Sequence, residues 1–410
     1  MTRYFIAAMI LLFAGCNSKN KKPTDIGDTA SKFMKGTFGY DVDFLRHYHE
    51  DLVVLGEGDS SQVVIAPAYQ GRVMTSSSEG NKGLSFGWIN YELIESGDQT
   101  EHINAVGGEE RFWLGPEGGQ FSIYFKKGAE FKFENWYVPK ELDTEPFDLV
   151  SSTNNEAIFQ KDIHLENYSG NKFDVAVKRR IRLLDRSSTE NVLDIRVPAG
   201  IETVAFESEN SITNKGNAAW NKSTGMLSIW ILSMLNASDK TTVAIPYRQG
   251  DTSALGKVVT DDYFGRVPVD RIKTDSGLIL FKADASHRSK IGVSPKRALP
   301  FVASYDDVNS VLTIAQFTLP PGATDYVNSL WKMQDDPFAG DAVNAYNDGP
   351  IDLTQMGKFY EIESSSPAAA LLPGETLQHI HRTFHFRGAK EKLNVISQKI
   401  LGVDVDRIRL

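Results

Sequence analysis

The sequence predicts an all-β fold, a large antiparallel β-sandwich, and three observations lead to it. From Leu52 onward, short segments of alternating apolar and polar residues follow one another, separated by turn residues roughly every ten positions. No long periodic helices alternate with these segments, which disfavours a parallel α/β sheet. No fixed-period repeat and no proline-rich linker divides the chain. One sandwich therefore accounts for the chain, because large all-β domains often exceed the usual domain size.

The individual elements follow from local spacing. Helical periodicity at Thr29–Lys35 and Tyr40–His49 predicts two minor N-terminal helices. Alternating or short apolar runs predict the strands. In chain order these are Val53–Leu55, Gln62–Ile65, Arg72–Thr75, Phe121–Phe125, Ala157–Ile163, Leu193–Val197, Leu227–Leu232, Thr242–Ile245, Leu278–Phe281, Val311–Phe317 and His379–Phe386.

The N-terminus is typical of an exported lipoprotein. Arg3 supplies a basic start, Tyr4–Phe13 is an apolar run too short to span a bilayer, and small residues precede Cys16, the single cysteine. We therefore expect a signal peptide over 1–15, a lipidated tether over 16–30 and the sandwich domain over 31–410. Acyl chains on Cys16 would anchor the chain in the bacterial envelope, at the outer membrane facing the periplasm. An ordinary signal peptide with an incidental cysteine, and surface display, are the alternatives.

Composition limits the possible partners. Hydrophobic residues make up 41% and charged residues 24% of the 410 residues, which is ordinary for a globular protein. The net charge of -9 argues against nucleic acid as a partner. The one basic cluster lies on a predicted strand, where Lys178, Arg180 and Arg182 share the outer, solvated face.

The segment Val106–Gln120, VGGEERFWLGPEGGQ, has the composition of a sugar-binding loop. Glycine pairs allow the backbone to approach a ligand, and carboxylates, a guanidinium and an indole suit a polyhydroxylated ring. Glu109, Arg111, Trp113 and Glu117 are the candidate ligands of the saccharide. The alternative is a surface hairpin with its aromatic residues in the core and Glu117 bonded to its own turn.

Other aromatic and basic side chains are candidates for the same site. Trp113, Trp136 and Tyr346 lie beside polar or turn residues, and an aromatic face packs against the C–H face of a pyranose. Asn347 and Asp348 follow Tyr346 and join the predicted site. Basic residues for uronate or sulfate groups, or alternatively for surface ion pairs, are Arg72, Arg111, Arg248, Arg288 and Lys290.

Three histidines share one face of the last predicted strand, because alternate strand residues point the same way. His379, His381 and His385 alternate with an apolar face formed by Ile380, Phe384 and Phe386. A His-x-His pair with Glu363 or Glu361 is one arrangement for a metal, and hydrogen bonding in a polar groove is the other. We expect the groove, and we assign no metal and no other cofactor.

The C-terminal segment Phe359–Phe386, FYEIESSSPAAALLPGETLQHIHRTFHF, resembles the closing region of the aldose 1-epimerases, the galactose mutarotases. The resemblance is specific over roughly thirty residues and architectural elsewhere. It implies a galactose mutarotase-like antiparallel β-supersandwich, with Glu363 at the position of the base that removes the anomeric hydroxyl proton. Glu375, in the Pro-Gly-Glu turn, is expected to be structural.

Five further segments resemble an uncharacterised branch of this superfamily found among Bacteroidetes lipoproteins. They are GGEERFWLGPEGG, IPYRQG at 245–250, DYFGRVPVDR at 262–271, RSKIG at 288–292 and GDAVNAYNDG at 340–349. Two departures from the epimerase pattern accompany the match. The family's histidine before Gly-Gly is Val106 here, and no histidine lies between Asn210 and Trp220.

The sequence thus predicts a carbohydrate-active envelope protein, with Glu363 and His381 as the catalytic residues of an epimerisation or a glycan cleavage. Cleavage requires a second carboxylate, from Glu109, Glu110 or Glu117. The predicted contacts to the mono- or oligosaccharide are Arg72, Glu109, Arg111, Trp113, Glu117, Tyr346, Asn347 and Asp348. The alternatives are a non-catalytic sugar-binding lipoprotein and a structural envelope protein without a ligand.

Overall fold

The computed structural model describes residues 31–58, 60–351 and 354–410. The predicted signal peptide, the tether and Cys16 lie outside the described residues. The helices in the described part are α1 (Phe38–Tyr48), α2 (Tyr91–Ser96), α3 (Lys140–Asp143), α4 (Arg186–Leu193), α5 (Thr252–Leu255) and α6 (Lys390–Leu401). Single turns of 3-10 helix lie at Pro67–Tyr69, Gly80–Lys82, Phe133–Asn135 and Val405–Arg407.

Strands dominate the chain. In the first half they are β1 (Val53–Leu55), β2 (Gln62–Ala66), β3 (Arg72–Ser77), β4 (Arg111–Gly115), β5 (Asp148–Ser152), β6 (Glu156–Glu166), β7 (Lys172–Leu184) and β8 (Glu202–Asn214). Next come β9 (Ser228–Leu232), β10 (Leu235–Asn236), β11 (Thr241–Pro246), β12 (Ile272–Asp275), β13 (Leu278–Lys282) and β14 (Ser289–Val293). The last are β15 (Phe301–Asp306), β16 (Val311–Phe317), β17 (Val343–Asn347), β18 (Phe359–Ser365) and β19 (Thr376–Arg387).

The larger sheet has ten strands in the order β12-β13-β11-β15-β16-β19-β8-β7-β6-β5, and every pair is antiparallel. Phe173, Val175 and Val177 of β7 point into the core, while Lys178 between its buried neighbours is exposed. Arg180 and Arg182 are half-buried and pair with glutamates of β6 and β8 on that outer side. The predicted outer basic face is therefore confirmed.

Helices cover the outer side of the larger sheet. Phe384 and Phe386 of β19 pack there with Leu393 and Ile396 of α6 in one buried cluster. This explains why both faces of β19 are buried, the one that carries the histidines as well as the one that carries the phenylalanines. The prediction that the two phenylalanines pack in the core is confirmed.

The smaller sheet runs β14-β17-β18-β9-β4, with β10 paired to β18. One of its faces packs on the larger sheet, since Phe112 and Ile231 share a buried cluster with Val177, Phe206 and Ile212. A three-stranded sheet, β1-β2-β3, continues from it through a bridge between Val73 and Glu110 and carries α1. The predicted all-β sandwich with minor helices is therefore confirmed.

Three predicted elements are wrong. Residues 31–35 are not helical, whereas the second predicted helix corresponds to α1. Phe121–Phe125 forms a loop, in which Phe125 packs edge-on against Phe131 and Trp331 instead of entering a ladder. Leu193–Val197 contains the end of α4 and a coil, because Asp185 caps a helix that ends at Leu193.

Among the described residues, no helix is both long and apolar enough to cross a membrane.

Candidate functional site

A row of charged side chains lies on the face of the smaller sheet that is turned away from the larger one. Antiparallel register aligns Glu363 with Asn344 on one side and, through Leu232, with Arg111 on the other. The next row aligns Lys290 with Tyr346 and Glu361. Directly paired residues point to the same face. We call Arg111, Lys290, Glu361 and Glu363 the charged face.

The charged face consists of two buried ion pairs. Arg111 Nη2 lies 2.9 Å from Glu361 Oε1, and Lys290 Nζ lies 2.9 Å from Glu363 Oε2. All four side chains are buried, and Glu363 has no exposed surface. Buried ion pairs contribute little net stability, because desolvation offsets most of their attraction. Two such pairs side by side are therefore better explained by a function.

Aromatic rings surround these charges. The Trp230 indole donates a hydrogen bond to Glu363 Oε2 at 2.9 Å, and Lys290 lies 4.7 Å from the centre of the same ring. The Arg111 guanidinium lies 4.1 Å above Trp113, which meets Trp230 edge to face. Cation–π contacts strengthen when the cation is desolvated. The rings thus fix the positions of both cations and of one oxygen of Glu363.

The second oxygen of Glu363 is free for another partner. Glu363 Oε1 is buried and accepts no hydrogen bond from the described residues. Its neighbour Glu361 has a pKa raised to about 7, because burial outweighs the attraction of Arg111 and the nearby Glu363 charge adds to the shift. Glu361 therefore exchanges a proton near neutral pH. One fixed carboxylate beside one titrating carboxyl is an arrangement suited to proton transfer.

Glu117, one of the predicted saccharide ligands, lies near Glu361 and Glu363. Burial raises its pKa, the charge of Lys290 opposes that shift and the charge of Glu363 adds to it. Its backbone N–H donates to Ser329 Oγ at 3.3 Å. Glu361 and Glu117 are thus both close enough to Glu363 to interact with it electrostatically.

A narrow pocket borders the charged face. It is lined by Gly115, Ser228, Trp230, Tyr263, Lys290, Val327, Ser329, Asp341, Asn344 and Ser365. Its free volume is about 10 Å³, roughly the space that one water molecule needs. Tyr263 closes one side, donating to Asp341 Oδ2 at 2.6 Å and accepting from Asn344 Nδ2 at 3.2 Å. Gly292 makes room for Asp341, since a Cβ there would lie 2.0 Å from Oδ2.

Tyr346 and Asp348, two of the predicted saccharide contacts, lie together beside the charged face. Tyr346 donates its hydroxyl proton to Asp348 Oδ1 at 2.7 Å and accepts from Arg288 Nε at 3.2 Å. Burial raises the pKa of Asp348. Both residues are thus near the charged face and are already joined in a hydrogen-bonded chain.

The structure does not bring His381 to Glu363. Glu363 and Ser364 are successive residues of β18 and point to opposite faces. His379 Nε2 and His381 Nδ1 both contact Ser364 Oγ, at 2.8 and 2.9 Å, so the histidines lie between the two sheets. Burial lowers the pKa of each to about 3. The predicted pairing of His381 with Glu363 is therefore corrected, because the backbone of β18 lies between the two side chains.

Two predicted substrate ligands, Glu109 and Arg72, bond to other groups in the protein interior. Glu109 Oε1 contacts His385 Nε2 at 2.7 Å and Ser76 Oγ at 2.8 Å, away from the charged face. Arg72 is buried and donates to the carbonyl oxygen of Gly107 at 2.8 Å. Their side chains hold the fold together, so their assignment to a substrate is corrected.

Asn347 and Glu110 also serve the interior. Asn347 accepts from the Ala285 N–H at 2.8 Å and donates to the His287 carbonyl at 2.9 Å, which pins the preceding loop. Glu110 pairs with Arg179 at 2.9 Å and accepts from Ser208 Oγ. The Glu110 carboxylate and the Asn347 amide therefore do not reach Glu363. Of the three carboxylates proposed for cleavage, Glu117 is the one that remains.

Trp230, Tyr263 and Asp341 were not predicted as site residues from the sequence, and Glu361 was predicted only as an alternative metal ligand. Alternation within β18 was the available signal for Glu361, since it shares a face with Glu363. No comparable signal existed for Trp230, which lies in a continuous apolar run. Within the described ranges, no group of three or more His, Cys, Asp or Glu side chains is arranged to hold a metal ion.

Comparisons with known proteins give a fold and a family. The sequence profile of a family of unknown function, DUF6786, matches residues 36–410. No curated protein matches the chain. Among solved structures, the Slr1438 protein of Synechocystis is 11% identical, with a TM-score of 0.50 over 82% of this chain and 96% of that one.

Two other similar structures have descriptive names. A putative aldose 1-epimerase of Escherichia coli is 12% identical, with a TM-score of 0.47 over 82% of this chain and 98% of that one. A galactose mutarotase-like protein of Lactobacillus casei is 10% identical, with a TM-score of 0.46 over 82% and 99%. Likenesses at such low identity concern the fold alone.

Proposed function

The chain belongs to the DUF6786 family, and we propose that it binds a saccharide over the charged face and that Glu363 acts on it as a proton acceptor. The observation that carries the proposal is the state of the Glu363 carboxylate. Its Oε2 is held by Lys290 and Trp230, while its buried Oε1 has no partner among the described residues. An oriented carboxylate with one free oxygen meets the geometric need of a general base.

A second proton-transfer group supports catalysis at this place. The raised pKa of Glu361 allows that carboxyl to hold a proton near neutral pH and to release it. Mutarotation requires a base for the anomeric hydroxyl and an acid for the ring oxygen, and glycoside cleavage also requires two carboxyl groups. Glu361 thus replaces His381 as the catalytic partner of Glu363 and takes the acid role. Epimerisation or cleavage of a sugar at its anomeric centre is the proposed reaction.

The surrounding groups suit a sugar ring. Trp230 lines the pocket with its indole ring, and Asn344 and Tyr263 place an amide and a hydroxyl next to Glu363. Mostly apolar walls with a few placed polar groups are usual in small-molecule sites. The pocket is too small for a pyranose in this conformation, so the proposal requires the segments with Tyr263 and Ser329 to move when substrate enters.

Non-catalytic saccharide binding is the second candidate. It is favoured by the engagement of Arg111 and Lys290 in ion pairs and by the burial of both histidines between the sheets. For either function we propose the envelope as the location, with the chain anchored through acyl groups on Cys16.

The test compares two glutamate variants of the same segment. Glu363→Gln keeps the size of the side chain and removes its basicity, whereas Glu375→Gln alters an exposed carboxylate that accepts from the Leu372 N–H. Anomeric exchange is followed by NMR, and reducing ends released from oligosaccharides are counted. We expect Glu363→Gln to lower turnover by about 10²- to 10⁴-fold, with binding retained and Glu375→Gln close to wild type.

The outcomes separate the candidates. Binding without turnover in the wild type favours the non-catalytic function. Turnover that survives in Glu363→Gln, or that falls equally in Glu375→Gln, contradicts the role of Glu363. If no saccharide binds the wild type, the proposed function is wrong.

A further inference from the structure

The basic residues near the charged face differ in whether a partner already occupies them. Among the five considered from the sequence, Arg111 and Lys290 pair with carboxylates of β18. Arg72 donates to the Gly107 carbonyl, and Arg248 donates to backbone carbonyls at 3.2 and 3.3 Å. Arg288 has neither kind of partner: among the described residues, no carboxylate lies within 4.0 Å of it and its side chain donates to no carbonyl oxygen.

Arg288 is nevertheless held in one orientation. Its Nε donates to the Tyr346 hydroxyl at 3.2 Å, and its guanidinium lies 3.9 Å from the centre of the Phe264 ring. Tyr346 in turn donates to Asp348 Oδ1. The remaining Asp348 oxygen accepts from the Gly357 N–H at 3.0 Å, so this carboxylate is satisfied without Arg288.

The location of Arg288 ties it to the proposed site. It directly precedes β14, two residues before Lys290, and the tyrosine that its Nε contacts, Tyr346, is the register partner of Lys290. Its charge also acts on Glu117, the carboxyl that borders Glu363. Phe264, beside it, is 43% exposed, although most large aromatic side chains of the described residues are buried. A half-buried cation and an exposed ring thus flank the charged face.

We propose that Arg288 and Phe264 form a subsite for an anionic substituent, a carboxylate or a sulfate ester, on the saccharide bound at Glu363. The inference rests on the proposed function and adds the substrate class, an acidic sugar. A guanidinium whose Nε is already bonded presents its two Nη groups as a planar fork, and that fork matches a carboxylate or sulfate with two parallel hydrogen bonds. Phe264 supplies an apolar surface for the ring that carries the anion.

The test measures binding of matched neutral and anionic sugars to the full chain by isothermal titration. The pairs are glucose with glucuronate, galactose with galacturonate, and galactose with its 6-sulfate. We expect the wild type to prefer the anionic member of at least one pair by about tenfold or more. The carboxylate and sulfate arms then identify which anion the subsite takes.

Three variants locate the preference. Arg288→Gln should abolish the preference by weakening binding of the anionic sugar at least about tenfold more than binding of its neutral partner. Arg288→Lys should keep only part of the preference, because an ammonium lacks the planar fork. Arg196→Gln is the matched control, since that side chain is 91% exposed and its one carboxylate partner among the described residues is Glu190. Thermal midpoints close to wild type confirm that each variant is folded.

Different results overturn the anionic subsite and the saccharide site. Equal binding of neutral and anionic sugars by the wild type, or an equal loss of both in Arg288→Gln, overturns the anionic subsite and leaves the saccharide site standing. Absence of binding by every sugar overturns both.

Discussion

Replacing Lys290 with methionine should destabilise the protein strongly, because the change removes the cation that compensates Glu363. The two groups are 2.9 Å apart, and their side chains are 10% and 0% exposed. After the substitution, Trp230 is the one remaining hydrogen-bond donor to Glu363 Oε2 among the described residues. Removing one member of a buried ion pair costs about 3–5 kcal/mol, since the other charge stays buried without compensation.

The measurement is urea or thermal unfolding. At about 2 cal/mol/K per residue, a loss of about 4 kcal/mol lowers the midpoint of a domain this size by about 5 °C. The double variant Lys290→Met/Glu363→Gln should regain at least about 2 kcal/mol relative to the sum of the single changes, because contacting charges are coupled. Lys399→Met, which alters an exposed pair with Asp194, is the control and should change stability by less than about 0.5 kcal/mol.

Two results would refute this reasoning. A cost of less than about 1 kcal/mol for Lys290→Met would mean that the Glu363 charge is solvated or neutral in the folded state. Additive single changes would mean that the two groups do not interact, and the anchoring of Glu363 by Lys290 would then be no basis for its proposed role.

Three further predictions concern other residues. The pKa of Glu361 is raised to about 7 from 4.5, so its contribution to the free energy of unfolding, on the order of 3 kcal/mol, is present below about pH 4.5 and is lost as the pH rises through about 7. Glu361→Gln should remove that part of the pH dependence of unfolding. An unchanged pH profile of stability would count against the raised pKa. His381→Gln should lower the free energy of unfolding by about 1–3 kcal/mol through its contact with Ser364 without changing turnover, and a selective loss of activity would restore the catalytic role. When cell extracts are separated into detergent and aqueous phases, Cys16→Ala should move the chain from the detergent phase to the aqueous phase. Unchanged partitioning would rule out the lipid anchor.

Local patterns were sufficient where one strand or helix determines the outcome. The 3.6-residue spacing found α1, and alternation put Lys178 and Arg182 on the solvent side of β7. Alternation also placed His379, His381 and His385 together. Alternation does not predict which face of β19 is covered by the smaller sheet and which by α6, and both faces are buried. The catalytic role of His381 failed for that reason.

The pairs of the site depend on contacts between distant parts of the chain. Arg111 and Glu361 are 250 positions apart, and Lys290 and Glu363 are 73 apart. Arg111 and Glu117 were candidates because their residue types suit a sugar, and Glu363 was a candidate because of the resemblance to the epimerases; all three lie together. Glu109 was a candidate for the same reason as Arg111 and Glu117, although it turns inward to His385. Residue type alone does not distinguish a ligand-binding carboxylate from one that bonds the core.

The two-sided use of β18 limits how this strand can change during evolution. Glu361 and Glu363 point to the charged face, while Ile362 and Ser364 point to the core and to the histidines. Insertion or deletion of one residue would exchange the two sets, burying carboxylates against neutral imidazoles. Two-residue changes would preserve the sides. Divergence of chemistry within this fold is therefore expected through substitutions in the neighbouring strands and covering loops, with the length of β18 held constant.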